Sequence, residues 1–241
     1  MSTIKNGVLA SLPDDQYQRI LPHLESFEFT HGRILYEMEG PIDYMYFPSG
    51  AMVSLVKEMF DGKIIEVGLV GKEGVTGIGA LFGDNKSAER ALVQIPNGGV
   101  RAPTSILREE FRRGLALHDS VLRYTNSFMR QVAQTAACNK SHTVEERLSR
   151  WLLMCHDRVE SPNLNLTQEF LGQMLGARRA TVTGAASSLQ SANLIRYNRG
   201  HITIIDRQGL ESFSCECYQV LKKSFANDER TSTTSSHYTR P

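Results

Sequence analysis

Arg178 and Arg179 stand side by side just after Gly176-Ala177, with Thr181 and Thr183 following at short spacing. An arginine guanidinium can donate two parallel hydrogen bonds to guanine O6 and N7, worth about 1–3 kcal/mol of discrimination against a wrong base. Threonine hydroxyls are short enough to meet either a phosphate or a base edge. Such groups can read a nucleic acid only if a rigid element presents them together. Upstream, Thr167 is a plausible N-cap, and Phe170, Leu171, Met174 and Leu175 recur at helical spacing. Downstream, Val182, Ala185, Ala186 and Leu189 mark the buried stripe of a second helix running from Arg178 to Gln190. Two short helices joined by a tight turn at Gly176 read as a helix-turn-helix, whose second helix offers its N-terminal side chains to the major groove.

The neighbouring residues extend this reading. The start of the first helix, at Thr167, would use a backbone N–H on phosphate. After Leu194, the β-prone runs Ile195–Tyr197 and Ile202–Ile205 flank a turn at Asn198-Arg199-Gly200, which predicts a hairpin wing. Arg199 and His201 on that wing are further phosphate candidates.

Other chemistries find less support. The four cysteines, Cys138, Cys155, Cys215 and Cys217, lack the paired C-x-x-C spacings of a zinc site. Cys215 and Cys217 read as ordinary thiols, and His142 as a capping or packing residue. No metal and no catalytic residue is expected. A cupin-like enzyme would need clustered His and carboxylate ligands on neighbouring strands. Between Arg33 and Ala102 no such cluster occurs, so the chain is not read as an enzyme.

The elements that must position these residues follow from periodicity. Residues 8–26 read as a short amphipathic helix with Tyr17, Ile20, Leu21 and Leu24 on its apolar face. Six β-prone runs follow between 33 and 102, separated by breaks such as Pro48-Ser49-Gly50, Asp61-Gly62 and Pro96-Asn97-Gly98-Gly99. Strands at such spacing predict a sandwich, barrel or roll. From His118 to Cys138 apolar residues recur every third or fourth position without Pro or Gly, predicting one long helix. Ala133, Ala136 and Ala137 would let a partner helix come close, so a dimer-forming helix is preferred to one packed only within its own chain. Val144 to His156 predicts another helix, burying Leu148, Trp151, Leu152 and Cys155. The expected organisation is a sensor domain over 8–117, a dimer helix over 118–140, a winged domain over 141–217 and a disordered polar tail over 227–241.

Composition sets the outer bounds. The chain has 241 residues, 41% hydrophobic, and a net charge of +1. The charge is unevenly placed: residues 1–117 carry 12 basic and 15 acidic groups. Residues 167–207 carry Arg178, Arg179, Arg196, Arg199 and Arg207 against Glu169 and Asp206, a modest basic patch of the kind nucleic acids attract. Nothing resembles a signal peptide, and no apolar run nears the roughly 18 residues of a membrane span. A cytoplasmic protein with no membrane partner is expected.

This order of parts resembles the Crp/Fnr family of bacterial transcription regulators. The likeness covers residues 8–215 and is carried by Leu166-Thr-Gln-Glu, Arg179-Ala-Thr-Val182 and Leu189-Gln-Ser-Ala-Asn-Leu-Ile195. Glu66-Val-Gly-Leu-Val-Gly-Lys-Glu-Gly74 resembles a branch that often lacks a defined ligand. The resemblance implies an α+β fold: an N-terminal antiparallel β-roll of the cyclic-nucleotide-binding kind, a long dimerisation helix and a C-terminal winged helix-turn-helix. It implies a homodimeric regulator on a near-palindromic double-stranded operator, with Arg179 in the place of the principal base-reading arginine. Ala180 stands where the best-known members have Glu, and Gly184 where they have a second Arg, so the operator should differ from theirs.

The same resemblance locates a ligand pocket over residues 77–90, with Gly77, Ile78, Gly79, Lys86, Ser87 and Arg90 as its candidate residues. Ile78 takes the position of the glutamate that accepts from a ribose hydroxyl, and a butyl side chain cannot do so. Lys86 or Arg90 could stand for the phosphate-binding arginine. Cyclic AMP binding of the usual kind is therefore not expected, and the glycines are read as serving turns. The oxygen-sensing branch needs an N-terminal cysteine cluster for iron–sulfur binding, and no cysteine precedes Cys138. His23, His31 and His118 show no haem-ligand spacing. No cofactor is expected, and an unknown small-molecule effector and RNA polymerase are further candidate partners. The alternative reading is a small-molecule sensor whose winged helix serves as a protein-docking module.

Overall fold

The computed structural model describes residues 5–83, 85–159 and 161–234, with side chains up to residue 226. The chain opens with α1 (Gly7–Ala10) and α2 (Asp14–Ile20), followed by a 3-10 turn over Leu21–His23. The single helix expected over 8–26 is thus broken. Asn6 caps α1, accepting from Val8 N and Leu9 N, and Pro13 and Pro22 each withhold the N–H that helix continuation needs.

The first strand, β1 (Glu25–Phe29), buries Phe27 and Phe29 on one face. Then come β2 (Ile34–Tyr36), β3 (Tyr44–Pro48), β4 (Met52–Glu58), β5 (Ile64–Val70), β6 (Arg90–Ile95) and β7 (Asn97–Pro103). They form two antiparallel sheets, ordered β1-β7-β3 and β2-β6-β4-β5. Inward residues of both sheets, including Phe29, Phe47, Val53, Ala91 and Val93, share one core. This is the β-roll.

A short helix, α3 (Thr104–Arg112), leads to α4 (Ala116–Ser141), 26 residues uninterrupted by Pro or Gly. One face of α4 closes the roll with Leu117, Val121, Tyr124 and Phe128. Gly68 and Gly74 on the roll side make room for it. A Cβ at Gly68 would lie 2.6 Å from the Phe128 ring, and one at Gly74 would overlap Tyr124.

The corner to α5 (Val144–Val159) is a capping box: Thr143 Oγ1 accepts from Glu146 N at 3.3 Å while Glu146 Oε2 accepts from Thr143 N at 2.8 Å. Beyond it lie β8 (Asn163–Asn165), α6 (Gln168–Leu175), α7 (Arg179–Ser191), β9 (Ile195–Asn198), β10 (His201–Ile204) and α8 (Arg207–Phe213). The strands form a small sheet ordered β8-β10-β9. Helices α5, α6, α7 and α8 enclose a second core around Leu148, Trp151, Leu171, Val182, Leu189 and Leu210.

The last helix, α9 (Cys217–Thr234), corrects another expectation. It runs antiparallel along α4, with Ser224 Oγ 3.3 Å from Ser127 Oγ and Cys217 Sγ accepting from Gln134 Nε2 at 3.0 Å. Tyr218, Leu221 and Phe225 anchor it on the two cores. That anchored helix carries on through 227–234, part of the stretch expected to be disordered; 235–241 lie outside the described residues.

The roll and the winged domain share packing. Met52, Val56 and Leu69 of the roll belong to the core around Trp151. Trp151 Nε1 donates to Glu66 Oε1 at 2.8 Å, and Ser54 Oγ donates to Glu66 Oε2 at 2.6 Å. Arg158 Nε donates to Glu73 Oε1 at 2.8 Å, with both side chains largely buried. Two carboxylates of the segment 66–74 therefore tie the roll to α5. Gly71 leaves the room that Arg158 needs, since a Cβ there would lie 2.7 Å from Arg158 Cγ.

Candidate nucleic-acid interface

The candidate interface begins with a threonine. Thr167 Oγ1 accepts from Phe170 N at 3.2 Å, which starts α6 and satisfies one of the backbone donors a helix leaves open. The next turn ends at Gly176, where φ is 56° and ψ 36°. A left-handed residue at this point closes the helix and redirects the chain, and glycine adopts it without Cβ strain. Ala177 N then donates to Gly172 O at 2.9 Å. Gly172 lets the turn pack closely, since a Cβ there would lie 3.0 Å from Ala177 O. The turn thus sets the angle at which α7 leaves α6.

On α7, Val182, Ala185, Ala186 and Leu189 are buried and fix the helix against α5. Arg178, Arg179, Ala180, Thr181, Gly184, Ser187 and Ser188 are exposed. Neither Arg178 nor Arg179 makes an ion pair among the described residues, so two full positive charges stand at the outer start of this helix. Like charges at a helix N-terminus oppose the macrodipole. Their placement is unfavourable for the helix alone and suits an anion outside it.

Thr183 differs from the outward placement expected of it. Its hydroxyl lies 3.0 Å from Gln168 Oε1 and 2.9 Å from Arg179 O, so it links α7 to α6. A Cβ added at Gly184 would meet nothing within 4 Å, which leaves that part of the face smooth and open. Ser187, about two turns beyond Arg179, is also exposed.

The wing forms as β9 and β10 pair with His201 opposite Asn198. The two turn residues have positive φ, 46° at Arg199 and 88° at Gly200, as the tightest hairpin turns require. Arg199 is exposed at the tip, and Arg196, counted only as charge from the sequence, is exposed on β9. His201 is exposed, with Nδ1 2.7 Å from Asn165 Oδ1 of β8. Leu166 N donates to Gly200 O at 2.7 Å, so the wing tip and the start of α6 lie together. Thr167, Arg178, Arg179, Thr181, Arg199 and His201 all belong to this one compact domain. Across from the α6–α7 turn, Lys63, Ile64 and Ile65 of the β4–β5 hairpin line a groove whose other wall includes Gly176, Arg178 and Arg179.

The residues named as ligand-pocket candidates lie between β5 and the start of β6. Gly77 has φ 80°, and a Cβ there would lie 2.7 Å from Ile42 Cγ2. That glycine serves a turn and close packing. Ile78 opens a 3-10 turn, Ile78–Leu81, and packs against the roll core; Gly79 faces open space. Arg90 is bound outward, donating to Glu37 Oε2 at 2.6 Å and Glu58 Oε2 at 3.0 Å. Ser87 Oγ donates to Glu89 O at 2.6 Å, and Lys86 forms a strand bridge with Pro41. Inside the roll, burial pushes the phenols of Tyr36 and Tyr124 well above their ordinary range, so both remain neutral.

Comparison with known proteins agrees with this architecture. A profile of the Crp-like helix-turn-helix domain matches residues 146–213. No curated protein sequence matches the chain. Among solved structures, FixK2 from Bradyrhizobium japonicum is similar with a TM-score of 0.68 at 19% identity, over 80% of this chain and 98% of that one. A putative Crp/Fnr-family transcriptional regulator from Eubacterium rectale gives 0.67 at 15% identity, over 84% of this chain and 94% of that one. A CRP-family transcriptional regulator from Thermus thermophilus gives 0.65 at 20% identity, over 79% and 96%. At these identities the likeness is one of fold. The chain thus carries a Crp-like helix-turn-helix domain within the overall fold of the Crp/Fnr transcription regulators.

Proposed function

We propose that this protein is a homodimeric, sequence-specific DNA-binding transcription regulator. The observation that carries the reading is the pair Arg178 and Arg179, exposed and without an ion pair among the described residues, at the start of a helix whose opposite face is buried. In the major groove, Arg179 donates to guanine O6 and N7, while Arg178 meets a neighbouring base or phosphate. Thr181 adds a short polar contact. Arg199 and His201 on the wing, and the N-terminus of α6 at Thr167, hold phosphates and set the register. With Ala180 and Gly184 on the same face, the arginines carry most of the base discrimination.

Dimerisation is proposed through α4. The residues left exposed on that helix include Leu122, Asn126, Met129, Ala133, Ala136 and Lys140, spaced alternately by four and three. This is the a/d spacing of a two-stranded coiled coil, with small residues where helices come closest and one polar Asn able to fix register. Leu122 and Met129 are 42% and 65% exposed, unusual for large apolar side chains. The paired recognition helices would then address half-sites about 34–36 Å apart. Ile78 packed against the roll core and Arg90 held by two carboxylates support a sensor domain that does not take cyclic AMP in the usual way. A cytoplasmic location fits this role, with RNA polymerase and an effector as further partners.

The test is selection of DNA fragments by the purified full chain, with Arg179→Ala beside it. An inverted-repeat motif is expected from the native protein. The variant should stay dimeric and lose roughly 10- to 100-fold in preference for that motif over random DNA, matching one bidentate base contact. An unchanged footprint and affinity for Arg179→Ala would refute the assignment of the recognition helix.

A further inference from the structure

Four potential ligand residues that lie far apart in the sequence meet where α4 ends. Cys138 is on the last turns of α4 and His142 is its C-cap, while Cys215 and Cys217 flank the start of α9. Their ligand atoms all lie within 4.8 Å of one another. Cys138 Sγ is 3.5 Å from Cys215 Sγ, and Cys217 Sγ is 3.6 Å from His142 Nδ1. Bond lengths of about 2.3 Å to sulfur and about 2.0–2.1 Å to nitrogen in a tetrahedron require ligand separations of about 3.8 Å and 3.5 Å. The closest pairs already match, and the remaining ligand atoms lie within 4.8 Å.

We propose that Cys138, His142, Cys215 and Cys217 form a Cys3His site for zinc. Three further observations distinguish it from a chance gathering of thiols. His142 Nε2 lies 3.2 Å from Glu216 Oε2, which leaves Nδ1 as the nitrogen facing the sulfurs. A carboxylate on the far nitrogen is the usual device that orients a metal-binding imidazole and raises its basicity. Gln134 Nε2 donates to Cys217 Sγ at 3.0 Å, an outer hydrogen bond to a ligand sulfur. Lastly, Arg147 and Arg150 are buried, each with an unpartnered Nε, and both interact electrostatically with Cys138. Three thiolates and one divalent zinc leave a net negative charge, which these guanidiniums would balance.

The three cysteines are fully or almost fully buried and the protein fills all four positions, so the site is of the closed, structural kind with no place for a substrate. Its location gives it a task. The ion would fasten the end of α4 to the segment that leaves the winged domain, and so hold the corner between α4 and α5. Each thiol gives up its proton to solvent as the ion binds. The inference is independent of the DNA-binding reading.

The test uses the full chain purified under reducing conditions and measures zinc by elemental analysis. One zinc per chain is expected. After the ion is removed, cobalt titrated into the protein should give a thiolate-to-cobalt charge-transfer band and intense tetrahedral d–d bands. His142→Cys should keep the metal, Cys138→Ser should lose it, and Glu216→Gln should bind with affinity reduced about 10- to 100-fold. If Cys138→Ser does not fold, the cobalt spectra of the native chain and of His142→Cys still decide the matter. Absence of stoichiometric zinc together with absence of the cobalt bands would overturn the proposal. So would a Cys138–Cys215 disulfide that persists under those reducing conditions.

Discussion

Single residues fasten the roll to the winged domain. Glu66 is the clearest case. Its carboxyl is buried between Ser54 and Trp151, and burial raises its pKa to about 7, despite the opposing pull of both hydrogen bonds and of Arg150 and Arg158. An unfolded glutamate titrates near 4.5, so between these values the folded chain binds the extra proton. Stability associated with Glu66 is therefore fully present below about pH 4.5 and declines as pH rises toward 7, then stays level. The whole effect has a ceiling of about 3 kcal/mol. Glu66→Gln removes the charge; its amide oxygen can still accept from Trp151 Nε1, and its amide NH2 can donate to Ser54 Oγ, whose hydroxyl then donates to Gln94 Oε1. Its melting temperature should fall less than that of the native chain between about pH 5 and pH 8. Parallel pH profiles for the two proteins would show that Glu66 does not titrate in this window. The identity of Glu66 as an interdomain tie was hidden in the sequence, because its partner Trp151 lies 85 positions away.

Helices and turns show how much of the architecture is local. The α6–α7 pair was legible because each part of it has a nearby cause: the Thr167 cap, the left-handed Gly176 and the apolar stripe of α7. The wing was legible for the same reason, through Arg199-Gly200. Gly184 is the exception inside α7. It has helical neighbours on both sides and open space where a Cβ would go. Gly184→Ala should stabilise the domain by about 0.5–1 kcal/mol, seen as a raised denaturation midpoint, since alanine loses less backbone freedom. The exposed seam of α4 supplies a second expectation at this scale. Met129→Glu places like charges across a twofold interface and should shift the protein from dimer to monomer in sedimentation at micromolar concentration, while its circular dichroism is retained. A dimer that survives unchanged would place the interface elsewhere. The sequence reading also ended one helix too soon: α9 follows a wing that resembled the end of the folded chain, and its anchoring residues lie on a partly polar helix.

The molecule as a whole combines a β-roll, a helix packed against both domains and a winged domain fastened from two sides. Tyr124 and Phe128 of α4 reach the roll core, and Arg207 donates to Asp157 and to the Tyr218 hydroxyl, joining α8, α5 and α9. A roll packed in this way, with Arg90 already neutralised, should not gain stability from cyclic AMP. Millimolar cyclic AMP is expected to leave the melting temperature unchanged, because only a ligand that binds the folded state raises it. A clear upward shift would mean that Ile78 and Arg90 rearrange to admit the nucleotide.

By itself the sequence determined the succession of strands, the long helix, the helix-turn-helix and its wing. Those features depend on periodicity, capping and turn chemistry, whose causes lie within a few residues of their effects. Only the tertiary structure decided which distant side chains meet. Glu66 with Trp151, Glu73 with Arg158, and Cys138 and His142 with Cys215 and Cys217 are brought together by the packing of α5 on the roll and of α9 on α4. No local pattern marks such pairs, since their spacing along the chain is set by the folded path between them and not by the geometry of any one element.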